Sequence, residues 1–246
     1  MSESDNHHSN DSNENSNETA SADSTATEGA PSARTRVRRI AQRASYDHAT
    51  LHAILDAAYV CHVAFADDHG VHCIPTACWR EGDHLYIHGS NGSRMLKLAA
   101  EGAQICVTVT HLDGLVLARS AFNHSMNYRS AMIYGAFEVV GEAHKAAALD
   151  AFMEHIAPGR VHEARGGNRN ELAATTMLRL ALDEAVAKVR AHGVSDDEED
   201  LDRPVWAGVL PMALRPLAPE RDGDLPPGGE PAYVRDWASR ATGAQR

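Results

Sequence analysis

Apolar residues follow a helical period near the start of the chain and a strand period through most of the remainder. Leu51, Ile54, Leu55 and Ala58 recur at i, i+3, i+4 and i+7, which predicts an amphipathic helix, and Asp47 is a suitable N-cap for it. After that helix the period changes to two residues. Predicted strands then cover residues 59–66, 71–79, 84–88, 104–111, 115–118, 128–140, 175–182, 186–189 and 205–210.

Turn residues separate several of these strands and indicate how they pair. Gly and Asp stand together at 67–70, 81–83 and 113–114, and short turns of this kind join antiparallel strands. Two more helices are predicted at 94–100 and 149–156, the second ending before Pro158-Gly159. We therefore predict a mainly β, α+β fold: a single β-barrel with peripheral helices.

Composition divides the chain into unequal parts. Residues 1–33 carry seven acidic side chains, no Lys or Arg, and no Val, Ile, Leu, Phe, Trp, Tyr or Cys, so we predict a disordered acidic tail. Residues 34–215 form the predicted domain, and 216–246, rich in Gly, Pro and charge, a weakly structured tail. The chain's net charge of −11 comes largely from the first tail and from six acids at 196–202. The remainder is nearly neutral, which leaves room for an anion-binding site.

Several classes of protein are excluded by the same inspection. No run of 18 apolar residues occurs, and the N-terminus has no signal-peptide pattern, so we expect neither a membrane span nor secretion. The four cysteines show no CxxC spacing, which favours reduced thiols and a cytoplasmic location. The acidic balance argues against nucleic acid as a partner.

A small-residue loop between a predicted strand and a predicted helix has the composition of a phosphate cradle. Gly89, Ser90 and Ser93 supply backbone N–H groups and hydroxyls, and Arg94 can fork onto a phosphate, with Lys97 one turn later. An ordinary capped surface helix would have the same spacing, and no Walker A or GxGxxG pattern is present.

Two further clusters combine polar and apolar residues. The segment 113–135 places Arg129 and Ser130 among strand residues, which is compatible with a binding site or with a hydrogen-bonded barrel corner. Alternation puts Lys188 and Arg190 on one face of a strand, and Trp206 could stack on a planar ring or on a neighbouring subunit. A solvated strand end and a core Trp are the simpler alternatives.

Histidines are numerous but lack a metal-binding spacing. The chain has 15 of them, without HExxH or a Cys/His finger, and we therefore predict no metal site. Haem ligation by one strand histidine stays open, the candidates being His62, His72, His84, His88, His111 and His124. No Ser-His-Asp arrangement is visible, so catalytic side chains are not assigned.

Longer stretches resemble a known family. They are VCHVAF at 60–65, HCIPT at 72–76, LYIHGSNGSRML at 85–96, CVTVTHLDGLVLARSAFNHSMNYRS at 106–130, APGR at 157–160 and WAGVLP at 206–211. Together they resemble the flavin-nucleotide-binding branch of the pyridoxamine 5′-phosphate oxidase-like superfamily, to which nitroimidazole-resistance (Nim) proteins are related. The resemblance spans about residues 34–215 and implies an FMN-binding split β-barrel that forms a homodimer, with flavin at the subunit interface.

The resemblance also assigns roles to residues of this chain. It implies that the phosphate is held by Ser93 and Arg94; Met95 stands where the oxidases have Lys, and Lys97 is the substitute. It places Trp206 against the flavin of the partner chain. The other implied cofactor-binding residues are Ile74, Pro75, Thr76, His88, Gly89, Ser90, Arg129, Ser130, Lys188 and Arg190.

One departure from the family changes the expected activity. The oxidases' C-terminal motif for substrate phosphate, with its Arg and His, is not recognisable here, so pyridoxine phosphate oxidation is not expected. The resemblance then implies a flavin-dependent oxidoreductase acting on an unidentified small molecule, with NAD(P)H as a candidate electron donor and FMN preferred over haem or F420. Two alternatives are a flavin- or haem-binding protein that senses or carries its cofactor without turnover, and a nitroaromatic reductase.

Overall fold

The computed structural model describes residues 29–225 and 228–239. Most of the predicted acidic tail, residues 1–28, and the chain end at 240–246 lie outside the described residues. Within them, no helix is both long and apolar enough to cross a bilayer.

The described residues form one antiparallel sheet with helices around it. Its order is β1-β9-β6-β5-β2-β3-β4-β8-β7, and β10 pairs with the far end of β5. The strands are β1 (Ala44–Ser45), β2 (Val60–Asp67), β3 (Gly70–Glu81), β4 (His84–Ser90), β5 (Ile105–Leu117), β6 (Ser125–Gly135), β7 (Glu138–Val139), β8 (Thr175–Ala181), β9 (Ala185–Arg190) and β10 (Gly208–Pro211). The helices are α1 (His48–Asp56), α2 (Arg94–Ala100), α3 (Glu142–Ile156), α4 (Arg169–Ala173) and α5 (Ala232–Arg235).

Alternation along β2 shows why the sheet curls around a core. Cys61, Val63 and Phe65 are buried, whereas His62 and Ala66 are exposed. The inward residues of all the long strands pack with one face of α1 and with α2 in a single apolar cluster. This arrangement confirms the predicted fold class, a mainly β protein with peripheral helices.

A second, smaller cluster lies on the outer face of the sheet. Trp79, Tyr86 and Met177 of β3, β4 and β8 are buried there beneath α3. Since Trp79 and Tyr86 are register partners, their rings stack, with centroids 5.5 Å apart.

The sequence prediction was wrong at Asp113-Gly114, where a hairpin turn was expected. β5 runs through these residues, and its pairing with β6 shifts register between Leu112 and Gly114, as a β-bulge does. Glycine is required there by close packing, because a Cβ on Gly114 would lie 2.9 Å from the Leu210 carbonyl oxygen of β10. The glycine therefore marks a strand contact.

The predicted kink at Gly135 is confirmed. β6 ends at this residue, which has φ of +154°, and β7 then pairs with β8 near the opposite edge of the sheet. The chain thus crosses between the two halves of the sheet at a position where glycine tolerates the backbone conformation.

The split in the barrel lies between β3 and β4. β3 pairs with β4 only from Cys78 to Glu81, whereas its first half pairs with β2. β4 continues beyond Ile87 on β8 alone, and its last residues lead into α2. His88, Gly89 and Ser90 therefore border the opening that separates the two strands.

Candidate functional site

The corner between β4 and α2 is built from small residues that allow close packing. Ser93 caps α2 by accepting a hydrogen bond from the Leu96 backbone N–H at 3.3 Å, and Ser90 Oγ accepts one from the Gly92 N–H at 3.2 Å. A Cβ on Gly89 would lie 2.9 Å from Leu96 Cδ1. The loop therefore has the predicted strand-to-helix form, with Ser90 exposed at its rim.

Arg94 is held by two groups that sequence reasoning missed. Its Nη1 lies 3.1 Å from Asp67 Oδ2, and its Nη2 lies 3.4 Å from His72 Nδ1. His72 Nε2 in turn lies 2.8 Å from Asp67 Oδ1, and this hydrogen bond is the main reason that the pKa of Asp67 is lowered. The guanidinium remains about half exposed, so this network orients Arg94 and leaves donors that a phosphate could use.

Helix α2 offers a second positive charge beside Arg94. Met95 is buried in the main core, whereas Arg94 and Lys97 are both exposed and stand three residues apart on α2. Lys97 therefore shares a helix face with Arg94, as expected of a substitute for the oxidases' lysine.

The three residues predicted on β3 divide between the faces of the strand. Ile74 packs against the main core, and Thr76 alternates with it on the same side. Pro75 is exposed on the outer face, where its register partner on β2 is His62. Only Pro75 of this group offers its side chain to a ligand on the outer face of the sheet.

His88 stands in an aromatic setting at the end of the split. Its ring centroid lies 4.8 Å from that of Phe152 and 5.6 Å from that of Trp79. Burial lowers the pKa of His88, which favours the neutral imidazole. His88 Nδ1 and Trp79 Nε1 are both buried without a hydrogen-bond partner in the described part of the chain. The unpaired nitrogen of His88, at the border of the split, is a group that a ligand bound there could satisfy.

The remaining predicted residues lie on β6 and β9, separated from β3 by β5 and β2 in the sheet. Arg129 forms a two-bonded ion pair with Asp113, both at 2.9 Å, which raises the pKa of the arginine. Ser130 Oγ donates to the Lys188 carbonyl oxygen at 3.3 Å, and Lys188 Nζ donates to the Arg39 carbonyl oxygen at 3.3 Å.

Arg190 and Trp206 differ sharply in exposure. Arg190 is buried and donates to the side chain of Asn127 and to two backbone carbonyl oxygens, and burial lowers its pKa. Trp206 is 63% exposed, and its indole lies against Gly208, where a Cβ would come within 2.9 Å. Within one chain, the predicted residues therefore fall into two separate groups, one on β3, β4 and α2 and the other on β6 and β9. Trp206 lies outside the two strands of the second group.

The fold and this corner define the protein class: an antiparallel split barrel with a small-residue loop that leads from strand to helix. The family model described as pyridoxamine 5′-phosphate oxidase matches residues 47–189. The chain therefore belongs to the pyridoxamine 5′-phosphate oxidase family, as its motifs predicted.

Two solved structures are similar over most of the chain. The flavocytochrome Anf3 from Azotobacter vinelandii is 41% identical, with a TM-score of 0.80, and the match covers 85% of this chain and 98% of that one. The FAD and haem binding protein from Mycobacterium smegmatis is 39% identical, with a TM-score of 0.77, over 80% of this chain and 97% of that one. No curated protein matches the sequence.

Proposed function

We propose that this protein binds both a flavin nucleotide and haem and acts as a redox protein. The observation that carries the proposal is the similarity, along at least four fifths of the chain, to one protein named a flavocytochrome and another named for FAD and haem. A flavin supplies hydride or electron transfer, whereas the protein supplies orientation and electrostatics, so no side-chain nucleophile is needed.

The split between β3 and β4 is the place that we assign to the flavin. Arg94 and Lys97 offer positive charge to a phosphate at one end, and the unpaired Nδ1 of His88 borders the opening at the other. FAD is the nucleotide that we favour, because the relative from Mycobacterium smegmatis is named for it. FMN, which the motifs implied, fits the same phosphate contacts, and mass spectrometry separates the two.

Hydrogen bonding narrows the choice of haem ligand. Three of the six candidate histidines already have a hydrogen-bond partner for one ring nitrogen. His72 is bonded to Asp67, His111 to the Ile54 carbonyl oxygen, and His124 to the Ser120 carbonyl oxygen. Within the described residues, the ring nitrogens of His62, His84 and His88 have no hydrogen-bond partner. All three lie on the outer face of the sheet. His84 stands at the β3–β4 turn opposite Glu81, whereas His62 and His88 stand beside the part of β3 that does not pair with β4, and we assign the axial ligand to this pair.

The outer face of β2 and β3 supports a homodimer. Register pairs on this face join Val60 with Ala77, His62 with Pro75, and Ala66 with Val71, so it carries small and apolar side chains. Val60 is 49% exposed and Val71 84% exposed in the single chain. An apolar sheet face of this kind marks an interaction surface, and a second copy would cover it. Trp206 could then reach the flavin of the other subunit.

The proposal is tested by identifying the cofactors released from the purified full-length protein. We expect the acid extract to contain FAD and haem by mass spectrometry. Extracts that lack a flavin or lack haem, from protein that also does not take up the missing cofactor on incubation, would overturn the proposal. Turnover is a separate question: reduction of the bound flavin by NADH or NADPH, and reoxidation by a small-molecule acceptor, would establish an oxidoreductase.

A further inference from the structure

We propose that His48, His52 and Asp83 form a binding site for a divalent transition-metal ion. His48 and His52 stand four residues apart on α1 and therefore share one helix face. Asp83 lies in the turn between β3 and β4. The three side chains offer two imidazole nitrogens and a carboxylate oxygen that all lie within 4.8 Å of one another. None of these residues belongs to the proposed flavin and haem sites.

The two distances from Asp83 to the histidines match those between ligands of one ion, and the histidine nitrogens lie within 4.8 Å of each other. Asp83 Oδ1 lies 3.3 Å from His48 Nδ1 and 3.1 Å from His52 Nε2. Ligands about 2.1 Å from a tetrahedral zinc ion stand about 3.4 Å from one another. The two imidazole rings are nearly perpendicular, at 82°, with their centroids 5.6 Å apart.

His52 faces Asp83 through its Nε2. Its Nε2 is 3.1 Å from the carboxylate but is buried and makes no hydrogen bond of acceptable geometry among the described residues. His48 Nδ1 is the imidazole nitrogen that is hydrogen-bonded to Asp83. An ion placed between the three atoms would bind the lone pair of His52 Nε2, a nitrogen that has no hydrogen-bond partner among the described residues.

The backbone around Asp83 is held in place by contacts outside the cluster. The Leu182 N–H donates to the Asp83 carbonyl oxygen at 3.0 Å, and Arg80 Nη1 donates to the Gly82 carbonyl oxygen at 2.7 Å. Asp56 balances the charge of Arg80 through two bonds of 2.7 Å. These contacts fix the turn before an ion binds, and the positive charge of Arg80 is already balanced by Asp56.

The donor set indicates the kind of ion. Two histidines and one carboxylate bind zinc and other late first-row metals, whereas calcium and magnesium prefer oxygen ligands alone. The side chains of His48 and Asp83 are 60% and 62% exposed, so water can complete the coordination. We therefore assign the site to a divalent ion of the zinc type with solvent-filled remaining positions.

The experiment is zinc titration of the full-length protein by calorimetry after treatment with a chelator. We expect a saturable step of one equivalent in the wild type. We expect Asp83→Asn and His52→Gln to weaken it by at least about tenfold, since even replacing an outer partner of a ligand costs about 10–100-fold in metal affinity. His69→Gln is the matched control: this exposed histidine in the β2–β3 turn lies outside the cluster, and its variant should keep the step.

Thermal unfolding of the same proteins keeps the proposal testable if a variant is less stable. Zinc should raise the unfolding temperature of the wild type and of His69→Gln but not that of Asp83→Asn, because an ion that binds only the folded state stabilises it. The proposal is overturned if the wild type shows no zinc step, if Asp83→Asn and His52→Gln retain it, or if His69→Gln loses it. Loss of flavin or haem would not bear on this result, because the three ligands lie outside those sites.

Discussion

Arg94 illustrates how one side chain can be both positioned and available. Asp67 and His72 hold the guanidinium from one side, and about half of its surface still faces solvent. A phosphate bound there would add charged hydrogen bonds to a group that is already oriented, so little conformational entropy would be lost on binding. The sequence showed Asp67 only as a turn residue, and its role depends on the approach of β2 to α2.

Arg94→Ala should weaken flavin binding by roughly 1.5–3 kcal/mol, the usual cost of removing a charged hydrogen bond. Fluorescence titration of the flavin-free protein with FAD and with FMN would measure the change. Arg165→Ala is the control, because Arg165 is an exposed arginine that pairs with Glu171 and has no contact with Asp67 or His72. Equal flavin affinity in the Arg94 variant and the wild type would refute the phosphate contact.

The haem ligand can be tested at the same scale. We expect His62→Ala or His88→Ala to abolish the Soret band of haem-loaded protein. Of the candidates with free ring nitrogens in the described part of the chain, these two stand beside the split, whereas His84 stands at the β3–β4 turn opposite Glu81. His124→Ala should keep the band, since His124 Nδ1 already lies 2.8 Å from the Ser120 carbonyl oxygen. An intact Soret band in both the His62 and the His88 variant would show that another residue holds the iron.

Helix α1 shows an element whose start the sequence predicted correctly. Asp47 Oδ1 accepts a hydrogen bond from the Thr50 N–H at 2.8 Å, as expected of an N-cap. Leu51, Ile54 and Leu55 are buried, so the predicted stripe is the one that packs on the barrel. Local periodicity and capping were sufficient here, because both signals lie within a few residues of each other.

Asp47→Ala should lower the free energy of unfolding by about 1 kcal/mol at pH 7, the typical value of an N-cap. Hydrogen bonds from Ser45 and Thr50 lower the pKa of Asp47 from 3.8 to about 2 in the folded protein. The stabilisation is therefore complete above the unfolded value near 3.8 and is lost as the pH falls towards 2. Urea unfolding should show that the wild type is more stable than the variant at pH 7 and that this difference in free energy of unfolding disappears near pH 2. An equal difference at both pH values would contradict the role of an ionised N-cap.

Strand β5 shows what local signals miss. An Asp-Gly pair is a strong hairpin signal, yet both sides of Gly114 pair with β6, and β10 packs on it from a distant part of the chain. Register is a long-range property, because it is set by which strands meet. The same limitation hid the metal cluster: the spacing of His48 and His52 is visible in the sequence, but the fold alone brings Asp83 to them.

Gly114→Ala should therefore destabilise the protein by about 1–3 kcal/mol, the usual cost of overpacking, because the added Cβ meets the backbone of β10. Gly166→Ala is the control, because a Cβ there meets nothing within 4 Å. Urea unfolding of the two variants against the wild type measures the effect. If Gly114→Ala and the wild type had the same free energy of unfolding, β10 would be able to shift away from the added Cβ without loss of stability, and the predicted clash would be refuted.

For the molecule as a whole, the fold was predictable and the completed site was not. Alternating strands and ordered motifs indicated the split barrel and its family, which the structure and the family model confirm. The predicted cofactor residues nevertheless fall into two groups separated by β5 and β2 within one chain. Periodicity and motifs describe one chain, so they do not show how two separated groups could contribute to one site.

The proposed dimer gives the corresponding prediction. Light scattering coupled to gel filtration should give a mass near twice the 26.5-kDa chain. Val71→Asp places a charge on the exposed outer face and should shift the protein towards monomer with weaker flavin retention. Asp68→Ala in the adjacent turn is the control for a surface change. A monomeric wild type that holds a full equivalent of flavin would contradict a site at the subunit interface.

The proposal that one chain carries both a flavin and haem can be tested on the absorption spectrum of the purified full-length protein. We expect flavin bands and a Soret band in the same sample, and we expect both to change when a reductant is added. A spectrum that lacks either set of bands, even after incubation with FAD, FMN and haemin, would contradict the proposal.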